Sequence, residues 1–299
     1  MISDELKRKI EKLFAEKKYE EFINVTEKFI KPEERPPGLS SMIGTCYFLK
    51  KEKFKKDLIL SLDYFEEAYL KGKITVNGLS GVTNFINVSA VSAKKSSEFL
   101  PYIYKAEKFY DETSKYFNKN PDFLVAAYKL FWFQLNNKKL QEIVDKIILS
   151  PNVPLIDRSG SIFFQNYIYN WSQEKYTEQV KLNSKKFHKY KVKKLNFNKK
   201  EKINIGFVGC DFTDQHSIFY FIEKTLKYLD KKTFKTFLFS FNRGINNMLG
   251  QEKIKSAADE FIEMDNFENQ KCVDLIQEKK IDILIDVMGY SFIPRVQIF

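Results

Sequence analysis

Residues 203–216, INIGFVGCDFTDQH, decide the fold of this chain. Residues 281–290, IDILIDVMGY, repeat the same arrangement further along. Each stretch is a short apolar run that ends beside glycine and acidic or polar residues, which is typical of a buried parallel strand entering a loop at its carboxyl end. Ligands of open α/β sheets bind outside those carboxyl ends. The sequence therefore predicts that part of any active site lies where these two strands end.

From residue 203 onward the apolar pattern alternates between strand and helix. This alternation predicts a parallel sheet with helices on both faces. The predicted order is a strand at 203–209, a helix at 218–229, a strand at 234–241, a helix end and short strand within 254–265, a helix at 269–280 and a strand at 281–289. The sequence ends at SFIPRVQIF, a few residues into an expected helix, so we expect the sheet to be small or unfinished.

The preceding two thirds of the chain have helical periodicity. Apolar residues recur at spacings of three and four from residue 3 to about residue 190, which predicts amphipathic helices. These helices form four irregular pairs, at 3–30, 42–72, 106–148 and 161–187. The pairs predict a degenerate tetratricopeptide-like array, an α-solenoid whose concave surface binds extended partners. A non-repetitive helical bundle is the alternative, and residues 73–97 fit no repeat well.

A basic stretch separates the two patterns. Residues 189–202, KYKVKKLNFNKKEK, carry no sustained apolar stripe and precede the change of period. We therefore predict a helical-repeat domain at 1–190, a basic linker at 191–202 and an α/β lobe at 203–299.

Composition limits the class of protein. The chain has 299 residues, 43% hydrophobic and 30% charged, which is ordinary for a folded soluble protein. It has no apolar run of about 18 residues and no signal-peptide core, so we predict no membrane association and a cytoplasmic location. The net charge of +11 comes almost entirely from lysine. Because base and phosphate recognition favours arginine, we predict no nucleic-acid partner.

The cysteines indicate neither disulfides nor a metal site. Cys46, Cys210 and Cys272 are odd in number and widely spaced. Reduced thiols in a reducing compartment are the simpler interpretation. A reactive Cys210 is the alternative, because this residue lies in the loop after the first strand.

Four ordered blocks carry a more specific signal, namely IGFVGCDFTDQHSIFYFI, FKTFLFSF, AADEFIEMD and IDILIDVMGYSFIPRVQIF. No dinucleotide or P-loop motif is among them. Together the blocks resemble the start of the catalytic region of the O-linked N-acetylglucosamine transferase family. That family also carries tetratricopeptide repeats in front of its catalytic region. The resemblance implies that residues 203–299 are the first of two facing Rossmann-like lobes in a fold of the GT-B type.

The resemblance also assigns roles to individual residues. His216 matches the family's active-site histidine, and Asp211 matches the acidic residue before it. The resemblance implies that the acceptor side of the cleft is lined by Asp211, Asp286, Gly289, Tyr290 and Arg295. A histidine has a near-neutral pKa that suits either a general base or a group that orients the acceptor hydroxyl, and the sequence leaves both open.

The family's reaction transfers a sugar from UDP-N-acetylglucosamine to serine or threonine of a protein, without a metal ion. Since the second lobe holds the nucleotide sugar in that family, we expect this chain alone to bind no cofactor and to be inactive. Protein acceptors or partners would bind the concave repeat surface. The alternative function is a helical-repeat scaffold that binds proteins and carries a vestigial α/β lobe.

Overall fold

The structure is a computed structural model that describes residues 2–50, 54–167, 172–192, 201–214, 216–241, 251–290 and 295–299. Its contacts divide the chain into two compact units. The first comprises Met1–Ser161 with Tyr167–Asn170, and the second comprises Ile162–Asn166 with Trp171–Phe299. The first is helical and the second is α/β, so the predicted fold class, helical repeats followed by a partial α/β lobe, is confirmed.

The helices of the first unit form successive pairs. Their bounds are α1 Asp4–Ala15, α2 Tyr19–Phe29, α3 Pro37–Leu49, α4 Lys55–Gly72, α5 Val76–Ala93, α6 Leu100–Phe117, α7 Pro121–Phe133 and α8 Asn137–Leu149. Helix α9, Leu155–Phe164, begins in the first unit, and its residues from Ile162 group with the second. Consecutive helices pack as pairs from α1 with α2 to α7 with α8, and α5 also packs against α3 and α7. Each pair buries its apolar stripe against the next, as expected of a helical-repeat stack.

Helix α5 departs from the sequence prediction, which left residues 73–97 outside the repeats. The stretch is rich in glycine, asparagine, serine and threonine, all poor helix formers, and this composition masks the helix. Packing explains the glycine at position 81. A Cβ added to Gly81 would lie 2.6 Å from the backbone nitrogen of Tyr69 and 2.8 Å from the carbonyl oxygen of Phe65. The glycine therefore permits backbone contact between α4 and α5, and tertiary packing overrides propensity here.

The second unit contains a sheet of parallel strands in the order β3-β2-β1-β4. Its strands are β1 Ile203–Gly209, β2 Phe234–Ser240, β3 Glu260–Glu263 and β4 Ile283–Asp286. Its helices are α10 Gln173–Ser184, α11 Ser217–Tyr228, α12 Gln251–Ala257 and α13 Asn269–Glu278. Alternate residues of β1 enter different core clusters, with Phe207 on one face and Val208 on the other. Both faces of the sheet are therefore covered, as the continuous apolar strands predict.

The division between the units lies earlier than the predicted linker at 191–202. Residues 172–192 group with the α/β unit because the segment after α10 packs on it. The ring of Phe187 lies 6.3 Å from that of Tyr290, and the Tyr190 hydroxyl accepts a hydrogen bond from the Asn269 side chain at 2.9 Å. The backbone of Lys191 also exchanges hydrogen bonds with the Gln270 side chain. Residues 193–200 of the predicted linker lie outside the described residues.

Among the helices that the structure describes, none is long and apolar enough to span a membrane.

The α4–α5 contact yields a stability prediction. Replacing glycine by alanine inside a helix normally stabilises it by up to about 1 kcal/mol. We expect Gly81→Ala instead to lower the free energy of unfolding by about 1–3 kcal/mol, because the new methyl group would collide with the α4 backbone. Urea unfolding followed by circular dichroism measures the change.

Gly160→Ala is the matched control. Gly160 lies within α9, and a Cβ added there would meet no atom within 4 Å. We expect this variant to be as stable as the wild type or slightly more stable. Equal stability of Gly81→Ala and Gly160→Ala would contradict the close-packing account of α5.

Candidate functional site

The carboxyl ends of β1 and β4 meet at one edge of the sheet. Strand β1 lies between β2 and β4, with Val208 in register with Asp286. Gly209 ends β1, and a Cβ added there would lie 2.5 Å from the Val287 side chain and 3.0 Å from the Phe212 ring. The absence of a side chain at Gly209 thus lets the loops after β1 and β4 close over the same point. The structure brings together the two predicted strand ends.

Asp211 and His216 form the polar pair of this edge. The Nε2 atom of His216 lies 3.8 Å from Oδ2 of Asp211. The aspartate side chain is 9% exposed, whereas that of the histidine is 44% exposed. Phe212, between them in sequence, is buried and packs against Phe261. The pair therefore has one anchored carboxylate and one imidazole that solvent or a ligand reaches.

His216 is also the N-cap of α11. Its Nδ1 atom accepts a hydrogen bond from the backbone N–H of Ile218 at 3.3 Å. A ring nitrogen that accepts a hydrogen bond carries no proton, so the neutral imidazole holds its proton on Nε2. The separation from Asp211 exceeds a hydrogen bond, so this Nε2–H group is available to donate.

Two hydrogen bonds to backbone carbonyl oxygens order the loop between β1 and α11. The Tyr220 hydroxyl donates to the carbonyl oxygen of Asp214 at 2.8 Å, and the backbone N–H of His216 donates to the carbonyl oxygen of Thr213 at 3.0 Å. One carboxylate oxygen of Asp214 is buried without a hydrogen-bond partner among the described residues. Sequence reasoning missed Tyr220, although its place in the first turn of the helix after the loop is a usable signal.

Asp286 and Gly289 form a tight turn after β4. The Asp286 carboxylate accepts backbone hydrogen bonds from Met288 at 2.8 Å and from Gly289 at 2.9 Å. Gly289 has a φ of +54°, a left-handed conformation that costs residues with a side chain about 1–2 kcal/mol. Both residues thus shape the backbone of the edge, and the described contacts of Asp286 are those of a loop-ordering carboxylate.

Tyr290 and Arg295 make anchoring contacts. Tyr290 is buried, pairs with the Asn183 side chain and has a raised pKa, chiefly because burial disfavours the phenolate. Arg295 donates from Nη1 to the carbonyl oxygen of Phe267 at 3.1 Å and to the Asn269 side chain at 2.5 Å. Its guanidinium lies 4.6 Å from the ring centre of Phe241, just after β2. Tyr290 thus contacts α10 and the segment after it, and Arg295 contacts the start of α13 and the loop before it.

The cysteines are free and buried. Cys210 is 1% exposed, although it immediately precedes Asp211, so its thiol is covered by the core. Burial raises the pKa of Cys46 to about 12 and also raises that of Cys272. Within the described ranges, no group of three or more histidine, cysteine, aspartate or glutamate side chains is placed to hold a metal ion.

Two comparisons with known proteins give matches to glycosyltransferases, and a third gives none. Residues 165–299 match the sequence model of a family described as glycosyl transferase family 41. A search of curated proteins finds no match. A mutant O-GlcNAc transferase of Thermobaculum terrenum has a similar structure, with a TM-score of 0.52 and 10% identity over 81% of this chain and 45% of that one.

The predicted resemblance is therefore confirmed: residues 165–299 of this chain resemble glycosyl transferase family 41. At 10% identity the structural likeness shows the fold alone. The chain spans less than half the length of that transferase structure.

The contacts of Arg295 yield a second stability prediction. Lysine keeps the charge but lacks the planar guanidinium, whose Nη1 donates to two acceptors while its face lies over the Phe241 ring. We expect Arg295→Lys to lower the free energy of unfolding by about 1–2 kcal/mol. Urea unfolding monitored by circular dichroism measures the loss.

Arg8→Lys serves as the control, because Arg8 is an exposed arginine on α1. A surface change of this kind is expected to stay within about 0.5 kcal/mol of the wild type. If Arg295→Lys proved equally neutral, Arg295 would not anchor the edge in the way these contacts indicate.

Proposed function

We propose that this chain contains the acceptor-side lobe of a protein O-glycosyltransferase. The reaction moves N-acetylglucosamine from UDP-N-acetylglucosamine to the hydroxyl of serine or threonine in a protein. The observation that carries the proposal is the exposed imidazole of His216 beside buried Asp211, at the carboxyl end of β1 and inside the region that matches the glycosyltransferase family. Ligands of open α/β sheets bind at this edge.

The chemistry requires one bond to form and one to break. The acceptor oxygen bonds to the anomeric carbon, the bond from that carbon to the diphosphate breaks, and the hydroxyl loses its proton. We propose no metal ion in this step, as the resemblance implies. The donor sugar nucleotide would bind chiefly outside this lobe, so residues 203–299 alone would hold no cofactor.

His216 is better equipped to donate a hydrogen bond than to accept a proton. Its Nδ1 lone pair is engaged by the N–H of Ile218, and its Nε2 already carries a proton in the neutral ring. On a partly exposed imidazole, an Nε2–H group can bind the oxygen of an acceptor hydroxyl and fix its approach to the sugar. We therefore assign His216 the role of orienting the acceptor. The proton of the acceptor hydroxyl is then transferred to another base or to solvent.

The helical unit would bring protein acceptors to this lobe. Stacked helix pairs present an extended surface, and extended polypeptides are the ligands that such surfaces fit. We propose no nucleic-acid or membrane partner and a cytoplasmic site of action.

A transfer assay with three variants tests the role of His216. The protein is expressed in the longest form that its gene encodes and is incubated with radiolabelled UDP-N-acetylglucosamine and cell extract. Asparagine is a good N-cap and carries an N–H donor, so His216→Asn should retain activity within about tenfold of the wild type. His216→Ala loses both functions and should fall by about 100-fold or more.

His188→Ala is the matched control, because His188 is the other histidine of the chain and is exposed. Its activity should equal that of the wild type. Losses of about 100- to 10,000-fold in both His216→Asn and His216→Ala would identify a general base instead. Failure of a wild-type form that includes a second lobe to transfer sugar would overturn the transferase proposal and favour the scaffold alternative.

A further inference from the structure

Helix α11 exposes aromatic rings beside the candidate site. Tyr220 is 56% exposed, Phe221 is 72% exposed and Tyr228 is 76% exposed. Large aromatic side chains gain free energy when they are buried, and they are enriched where protein surfaces bind other proteins. A cluster of such rings on one helix of 12 residues therefore indicates a surface that a partner covers.

The rings share one face of the helix. Residues three and four apart are neighbours on a helix surface, so Lys224 lies beside Tyr220, Phe221 and Tyr228. These four residues form the aromatic face of α11. The buried residues of α11 lie on the opposite side and belong to a core cluster that includes residues of β1.

The aromatic face carries positive charge. Lys224 and the neighbouring Lys227 are exposed, and the Lys227 ammonium lies 5.8 Å from the centre of the Tyr228 ring. Glu223, the acidic residue of α11, lies one turn before Lys227, whereas Lys224 has no carboxylate at a neighbouring position of the helix. Among the residues that the structure describes, no carboxylate forms an ion pair with Lys224 or Lys227. An acidic partner would supply the opposite charge.

The aromatic face begins at the candidate site. His216 is the N-cap of α11, and the Tyr220 hydroxyl donates to the carbonyl oxygen of Asp214 in the loop before the helix. An α-helix rises about 1.5 Å per residue, so Phe221 lies about 8 Å and Lys224 about 12 Å along the helix from His216. An extended polypeptide covers these distances in about two and four residues. A chain with a hydroxyl at His216 can therefore reach this face.

We propose that the aromatic face of α11 binds the acceptor polypeptide beside its serine or threonine and selects acidic segments. An apolar side chain about two residues from the acceptor hydroxyl would pack on Phe221, and carboxylates about four to six residues away would pair with Lys224 and Lys227. A polypeptide fits better than a nucleic acid, because this face presents lysine and no arginine. The proposal rests on the proposed transferase function, since that function places the acceptor at His216.

Peptide binding in the absence of a donor sugar tests this surface. The full chain is titrated into fluorescein-labelled peptides, and fluorescence anisotropy gives each Kd. The acidic peptide carries one serine, a leucine about two residues away and glutamates about four to six residues away, and its control has glutamine in place of glutamate. Each is made with these residues before the serine and after it. We expect the acidic peptide, in at least one order, to bind about fivefold or more tightly than its control, with a smaller difference at high salt.

Two variants locate the surface. Phe221→Ser should weaken binding of the acidic peptide by about fivefold or more, and Lys224→Gln should reduce the preference for glutamate over glutamine by about threefold or more. Tyr104→Ser and Lys108→Gln are matched controls, because these two exposed residues are an aromatic ring and a lysine four positions apart on α6. They should leave each Kd unchanged. All four positions are exposed, and circular dichroism establishes that each variant is folded.

Three results would overturn the proposal. The first is an equal Kd for the glutamate and glutamine peptides in both orders, and the second is an equal effect of the α6 and α11 variants. The third is tighter binding of oligothymidylate or of phosphatidylserine vesicles than of the acidic peptide, which would assign the aromatic face to another anionic partner.

This assay fails separately from the transfer assay, because it needs no donor sugar. Sugar transfer without a preference for glutamate in binding would overturn the role of the aromatic face and leave the transferase proposal standing. Glutamate-dependent binding that requires Phe221 and Lys224, without sugar transfer, would support the peptide-binding face and overturn the transferase proposal alone.

Discussion

The parallel pairing of β1 with β2 and β4 is the interaction on which the candidate site depends. It aligns Val208 with Asp286, and this register brings the loops after β1 and β4 to one edge. Gly209 then lets Phe212 and Val287 converge on the end of β1. A shift of one residue would turn Phe207 and Val208 into the opposite cores and would move Asp211 away from this edge. The position of Asp211 and His216 thus follows from the strand register that buries the apolar side chains of β1.

The apolar pattern was sufficient to predict this α/β unit, because each strand is buried on both faces and each helix carries one apolar stripe. Every predicted strand of the unit is present, with ends that differ by a few residues. Helix α5 could not be predicted in the same way. Its glycines are selected by contact with the α4 backbone, and such a contact has no local signature in the sequence. The position of residues 172–192 likewise depends on distant partners, namely Tyr290 and Asn269.

The sequence predicted which residues belong to the candidate site, but it did not predict their contacts. The strand ends predicted where the site lies, and the family resemblance indicated Asp211, His216 and Asp286 without revealing what each side chain contacts. The structure separates them by chemistry. His216 is exposed and caps a helix through Nδ1, whereas Asp286 orders a turn, and Tyr290 and Arg295 fasten neighbouring segments to the edge. Only three-dimensional contacts distinguish a group that meets a ligand from one that supports it.

The tautomer of His216 connects this geometry to the proposed reaction. The N-cap bond from Ile218 occupies Nδ1 and leaves a proton on Nε2, which makes this partly exposed residue a hydrogen-bond donor. With only two histidines in the chain, ¹⁵N labelling of histidine gives a spectrum that His188→Ala assigns at once. The account predicts that the neutral ring of His216 carries its proton on Nε2. A neutral ring protonated on Nδ1 would contradict it and would restore His216 as a candidate base.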